Sequence, residues 1–150
     1  MSRKVVVTGI GSVSPLGLNT QQLYESLALG KSGICPIEDF DTSNFSVTFA
    51  GQVRGFDFTS IDYDQKILAR LDPFMHYTLA AAIEAVSSSG LDTYSHLDKE
   101  QVGVVLGSGI GGLTTIETNA LKCHLSGPRR IAASFIPSTI INMPSGHLSI

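Results

Sequence analysis

Residues 72–90, "DPFMHYTLAAAIEAVSSSG", constrain the fold more than any other stretch of the chain. Asp72 is a good N-cap, and Pro73 carries the φ that a first helical position needs. Gly90 supplies a stop. The spacing predicts one helix from Pro73 to about Ser89. Its centre, "LAAAIEA", is nearly all small or apolar. Such a helix is packed on most sides, against a sheet and a neighbouring helix, and so points to a layered fold.

Two short apolar runs supply the candidate sheet. "KVVVT" at 4–8 and "QVGVVLG" at 101–107 read as strands buried on both faces. After the first, "GIGSVSPLG" reads as loop. Asn19 with Gln22 then forms a capping box, opening a helix marked by Leu23 and Leu27 and ended by Gly30. Residues 31–60 are irregular, but Phe45, Val47 and Phe49 alternate, as in an edge strand or hairpin arm. Thr114 with Glu117 makes a second capping box, for a helix running to about Leu125 and closed by Gly127-Pro128. Pro137 can open a last helix, in which Pro144 would remove a backbone hydrogen bond unless a turn restarts there. Strands alternating with helices predict an α/β chain with a mostly parallel sheet flanked by helices. The 150 residues suit one domain, able to bury roughly 70% of its unfolded surface. There is no internal repeat and no low-complexity linker.

Composition narrows the partners. The chain is 43% hydrophobic and 15% charged, with a mean hydropathy of +0.21; about 25% charged is usual. The surplus predicts surface buried against a partner subunit or further sequence. A net charge of −3 argues against general nucleic-acid binding, although Arg129-Arg130 is a local candidate for anion contact. No segment supplies the ~18 consecutive apolar residues of a membrane span. The basic start is followed by an apolar run broken at Thr8 and Gly9, which reads as a strand and not as a signal peptide. Cys35 and Cys123 lack metal-ligand spacing and read as reduced, buried thiols of a cytoplasmic protein.

The loop "VVLGSGIGGL" holds the most suggestive pattern. Gly107, Gly109 and Gly112 spell G-x-G-x-x-G. A dinucleotide site also needs an acidic residue about 20 positions on. Residues 122–127 read "KCHLSG" and offer none. Gly9-Ile10-Gly11 fails the same test, since residues 29–32 read "LGKS". Ser108 lies between glycines, but G-x-S-x-G is absent because position 106 is Leu and 110 is Ile. His76, His96, His124 and His147 form neither H-x-x-x-H nor H-E-x-x-H, so no metal site is expected. Cys123 and His124 diverge by about 100° on a helix. Each histidine reads as structural, and His147 as a packed, hydrogen-bonded residue. The glycines then read as close approach by backbone or ligand. Ile110, the one large side chain on the loop, suits a pocket wall or gate.

Taken in order, "VVVTGIGSVSPLG", "GKSGI", "FDTSNFSVTFAGQV", "LDPFMHYTLAAAIEAVSSSGL", "GVVLGSGIGGL", "GPRRI" and "FIPSTIINMPSGHLSI" resemble the elongating beta-ketoacyl-[acyl carrier protein] synthases. "GSGIGG" and "FDTSNF" resemble type II more than type I, and the initiating type III enzymes are more distant. The resemblance covers essentially the whole chain. It implies the N-terminal part of a thiolase-like layered sandwich, in a homodimer. It implies fatty-acid elongation by decarboxylative Claisen condensation. An acyl group moves from its carrier protein to a cysteine thiolate, and malonyl-carrier protein loses carbon dioxide to give the attacking carbanion. Two histidines polarise the malonyl thioester, and backbone N–H groups form an oxyanion hole. No free cofactor is implied, because the substrates ride on the phosphopantetheine of acyl carrier protein.

The resemblance also places the catalytic groups outside these residues. The family nucleophile sits in a "TACATG"-like motif beyond the segment matching "GHLSI", and the catalytic histidines and lysine belong to the second half. Residues 1–150 are therefore expected to be the first part of the N-terminal domain, ending before that motif and inactive alone. Cys35 and Cys123 do not match the nucleophile, and His147 matches a position in the helix that precedes it. Ile110 matches the residue separating that cysteine from the acyl tunnel. Phe135 and Ile136 match positions that cross the dimer interface and line the partner's pocket. Lys66, Arg70, Arg129 and Arg130 match, or lie beside, the basic surface that docks the acidic carrier protein. For Lys66 and Arg70 an ordinary solvated helix face is the competing reading. Two further readings of the whole chain are a non-catalytic synthase-like fragment binding synthase subunits or carrier protein, and a nucleotide-binding α/β domain.

Overall fold

The computed structural model describes residues 4–150, and the basic start at 1–3 lies outside them. The helices are α1 (Thr20–Ala28), α2 (Gln65–Leu68), α3 (Pro73–Ser89), α4 (Leu113–Ser126) and α5 (Met143–Ser149). The strands are β1 (Ile34–Pro36) and β2 (Phe49–Gly51). The chain divides into two compact units, the first comprising residues up to Asp57 with Ala80–Thr93, the second Phe58–Leu79 with Tyr94–Ile150.

In the first unit, α1 starts as its capping box predicts. The Asn19 side-chain oxygen accepts the Gln22 amide at 2.9 Å. Gln22 reaches back one residue further than expected, to the Leu18 amide at 2.9 Å. Gly30, at φ +64°, ends the helix in the left-handed region that glycine tolerates. Asn19→Ala is expected to cost about 1 kcal/mol, read as a lower denaturant midpoint at unchanged slope. β1 pairs antiparallel with β2, Cys35 opposite Ala50. A hairpin arm does form, but of the alternating residues only Phe49 enters it; Phe45 and Val47 lie before the strand. Between the strands, the amide and hydroxyl of Ser43 both bind the Asp41 carboxylate, which holds Asp41 below its ordinary pKa.

The apolar centre of α3 has a specific use here. The Gly9–Ser12 loop lies directly on it. A Cβ at Gly9 would strike the carbonyl oxygen of Ala85, and one at Gly11 that of Ala81. Only a bare loop over small helix residues permits that approach. Glu84, the lone charge in "LAAAIEA", accepts the amides of Ser12 at 2.9 Å and Thr20 at 2.8 Å. It thereby ties the loop and the start of α1 to the same helix.

The expected mostly parallel sheet is not formed among the described residues, whose one sheet is the antiparallel β1–β2 pair. Residues 4–8 and 101–107 enter no ladder. Val5 is 94% exposed and Val105 95%. Apolar β-branched residues favour a pleated, covered surface, but a strand exists only where a neighbour takes its backbone bonds. The α/β class itself stands: helices accompany a small sheet.

The core of the second unit is built from Leu68, Met75 and Leu79, all fully buried, and from Ile61, which is 6% exposed. Asp64 caps α2 through the amides of Lys66 (2.8 Å) and Ile67 (3.2 Å). Buried His76 is structural, as expected: its Nε2 lies 2.8 Å from the Leu68 carbonyl, and its ring stacks on Phe58 at 4.7 Å. Two expectations are corrected. The Thr114–Glu117 capping box does not open α4, because that helix starts earlier, at a Gly112 N-cap with no side-chain cap bond. Nor does Pro137 open a helix. Residues 133–139 form successive turns, and α5 begins at Met143 with Pro144 in its first turn. There a missing N–H costs nothing, since first-turn amides have no partner within the helix.

Candidate functional site

The glycine loop is shaped by contact with the turns at 133–139. Gly111 has φ +86°. A Cβ there would strike the Thr139 carbonyl oxygen, and one at Gly112 the Ser138 carbonyl oxygen. The Gly112 amide donates to the Thr139 carbonyl at 3.0 Å. Around Gly107 and Gly109 an added Cβ would meet open space. Close approach thus explains the second half of the loop and not the first. Ser108 is used inside the turn, its Oγ accepting the Gly111 amide at 3.1 Å.

The N-terminus of α4 is already occupied by protein. The amides of Gly112 and Leu113 donate to the carbonyls of Thr139 and Gly111. The Thr115 amide donates to Asp72 Oδ2 at 2.8 Å. A pyrophosphate would need these amides and would face a carboxylate instead of finding a positive helix end. The geometry removes the nucleotide-binding reading.

Ile110 stands next to this contact, 66% exposed. Phe135 is half-buried, and Ile136 is 57% exposed. Both belong to the segment whose Ser138 and Thr139 hold the glycine loop, so the three acyl-pocket candidates lie on two segments joined by one backbone bond. Lys66 is on α2, and Arg70 follows it in a stretch whose carbonyl oxygen accepts the Ser138 hydroxyl at 2.6 Å. Arg129 and Arg130 occupy the 3-10 turn Pro128–Arg130, directly after α4. Asn119 steadies that exit: its Oδ1 accepts the Ala132 amide and its Nδ2 donates to Thr115 O, both at 2.9 Å. All four cationic side chains are exposed.

The other singled-out residues are accounted for locally. His147 Nδ1 lies 3.0 Å from the Tyr63 hydroxyl, which also donates to the His147 carbonyl at 3.4 Å. His96 meets Tyr94 edge to face. Cys35 and Cys123 are free, as expected, but half-buried where full burial was expected. Cys35 sits in the two-stranded ribbon β1–β2, and its thiol points toward the Ala50 carbonyl at 3.6 Å. Among the described residues no group of three His, Cys, Asp or Glu could hold a metal ion. No helix among them is long and apolar enough to cross a membrane. Sequence reasoning missed the second roles of Asp72 and Asn119. Glu84 left a signal, as one carboxylate in an otherwise apolar helix.

A family model described as Beta-ketoacyl synthase, N-terminal domain matches residues 2–150. The chain belongs to this family. It is 45% identical over 148 residues to 3-oxoacyl-[acyl-carrier-protein] synthase 2 of Vibrio cholerae, covering 99% of this chain and 35% of that protein. It is 41% identical over 151 residues to 3-oxoacyl-[acyl-carrier-protein] synthase I, chloroplastic, of Arabidopsis thaliana, covering 99% of this chain and 32% of that one. The chain thus spans about a third of the length of these relatives. Among solved structures, the ishigamide ketosynthase/chain length factor superposes with a TM-score of 0.76 at 22% identity, covering 97% of this chain and 37% of that one. A chain of the complex of a type II PKS acyl-carrier protein with its ketosynthase bound to the hexaketide gives 0.68 at 22% identity, covering 96% and 37%. The fold is therefore that of the N-terminal part of a thiolase-like ketosynthase.

Proposed function

We propose that this chain contributes the N-terminal scaffold of a type II beta-ketoacyl-[acyl carrier protein] synthase, which elongates fatty acids by decarboxylative Claisen condensation. The observation that carries the reading is the 45% identity, held over 99% of the chain, to a 3-oxoacyl-[acyl-carrier-protein] synthase 2. The nucleophilic cysteine, the two histidines and the lysine belong to the two thirds of the relatives that this chain does not span. What residues 1–150 supply is shape and docking. Ile110 stands between the nucleophile and the acyl tunnel. Phe135 and Ile136 extend that pocket toward the partner subunit of a homodimer. Lys66, Arg70, Arg129 and Arg130 receive the acidic acyl carrier protein, whose phosphopantetheine brings both substrates, so no free cofactor is needed. Two unpaired thiols fit the reducing cytoplasm.

The exposed state of the four cations supports docking, since long-range attraction needs charges that a partner can approach. The test uses the 150-residue chain with acyl- and malonyl-carrier protein. No condensation product is expected, and turnover above background would overturn the scaffold reading. With carrier protein alone, amide NMR shifts are expected at residues 66–70 and 128–131, fading as salt rises. Shifts elsewhere, or none, would remove the docking assignment. A full-length synthase that binds this chain without gaining or losing activity would favour the non-catalytic fragment.

A further inference from the structure

Asp72 is 3% exposed, and the proposed chemistry makes no use of its carboxylate. Its two oxygens serve different helices. Oδ1 accepts the Phe74 amide at 3.3 Å, capping its own helix α3. Oδ2 accepts the Thr115 amide at 2.8 Å, on α4. Gly112 stands at the N-cap of α4 and has no side chain with which to cap it. Asp72 does so from 43 residues away. An N-cap side chain normally satisfies the second or third helical amide, and Thr115 is the third.

The same spot joins a third segment. Gly112 N–H donates to Thr139 O at 3.0 Å, and Ser138 Oγ donates to the Arg70 carbonyl at 2.6 Å. A Cβ on Gly112 would lie 3.2 Å from Asp72 Oδ2. Residues 70–72, 111–115 and 138–139 therefore close a ring of bonds around one buried carboxylate. Ile110 sits at its edge. On its C-terminal side the chain is fixed from Gly111 onward. On its N-terminal side an added Cβ at Gly107 or Gly109 would meet nothing within 4 Å, and Ser108 Oγ accepts the Gly111 amide at 3.1 Å.

We propose that Asp72 is a positioning residue: it pins the C-terminal side of the Ile110 loop and so fixes where Ile110 stands. The consequence, that Asp72 sets how Ile110 admits an acyl chain, rests on the function proposed above. The pinning itself does not, and the test reads it without substrate.

Hydrogen exchange is measured on the 150-residue chain and on two variants. In Asp72→Asn one acceptor oxygen replaces two, so one of the two helix amides loses its partner. Asp72→Ser keeps a good N-cap for α3 but is too short and singly accepting to hold both helices. A purely local cap would be rescued by serine; positioning would not. In Asp72→Ser the expected result is exchange at least about tenfold faster at Thr115 and Gly112 with the Leu79 amide in α3 unchanged; in Asp72→Asn it is faster exchange at either Thr115 or Phe74. Unaltered exchange at Thr115 and Gly112 in Asp72→Ser, unaltered exchange at both Thr115 and Phe74 in Asp72→Asn, or free exchange of Thr115 and Gly112 in the unsubstituted chain would each overturn the proposal. Failure of the condensation and docking experiments would leave these amides as they are and would overturn the function alone.

Discussion

Gly112→Ala is expected to destabilise the second unit by about 3 kcal/mol, while Gly109→Ala stays within about 0.5 kcal/mol of the unsubstituted chain. Both positions belong to the same G-x-G-x-x-G pattern. They differ in what a methyl group meets. At Gly112 it would run into the Ser138 carbonyl oxygen, with the Thr139 Cα at 2.8 Å and Asp72 Oδ2 at 3.2 Å. Two of those three atoms are main-chain and cannot rotate away. Relief requires the 133–139 turns to retreat, which breaks the 3.0 Å bond from the Gly112 amide to Thr139. At Gly109 the methyl meets nothing within 4 Å. Its φ is not positive, so alanine adopts the backbone without strain. For a chain of this length, 3 kcal/mol corresponds to a fall in Tm of about 6–12 °C. Equal sensitivity at Gly112 and Gly109 would show that the loop is held by something other than this contact.

That contrast also shows where sequence reasoning reaches and where it stops. Local chemistry was legible. Asn19 with Gln22, Asp72 with Pro73, and the left-handed Gly30, Gly90 and Gly127 act through atoms within a few residues, so a linear pattern contains them. The start of α4 was misplaced for the opposite reason. Its cap comes from Asp72, and no spacing rule on residues 112–117 can announce a carboxylate contributed from another segment. The β-branched runs at Val5–Val7 and Val104–Val105 carried the right propensity and still formed no sheet, because pairing depends on a second strand. At the site, the acyl-pocket and docking candidates came from resemblance, and burial separates them little: most are simply exposed. The glycine loop was read correctly as a close approach, but only the structure shows that Gly111 and Gly112 make it while Gly107 and Gly109 do not.

Gly11→Val is expected to be the most damaging single change in the first unit, costing about 4 kcal/mol or more in denaturant unfolding. A Cβ at Gly11 would overlap the Ala81 carbonyl oxygen and lie 2.8 Å from both Ala81 C and Ala85 N. These atoms form the backbone of α3, and α3 cannot bend locally without losing helix bonds on each side. The loop must lift instead. Lifting it withdraws the Ser12 amide from Glu84, 2.9 Å away, and strains the 2.8 Å bond from the same carboxylate to Thr20 at the head of α1. Glu84 would lose one of its two partners in a half-covered place, so the cost spreads from sterics to polar desolvation. Because the obstacle is main-chain, Ala81→Gly placed in the same variant should restore nothing. Recovery of stability in that double variant would mean that the Ala81 methyl group, and not the helix backbone, sets how near residues 9–12 can come to α3.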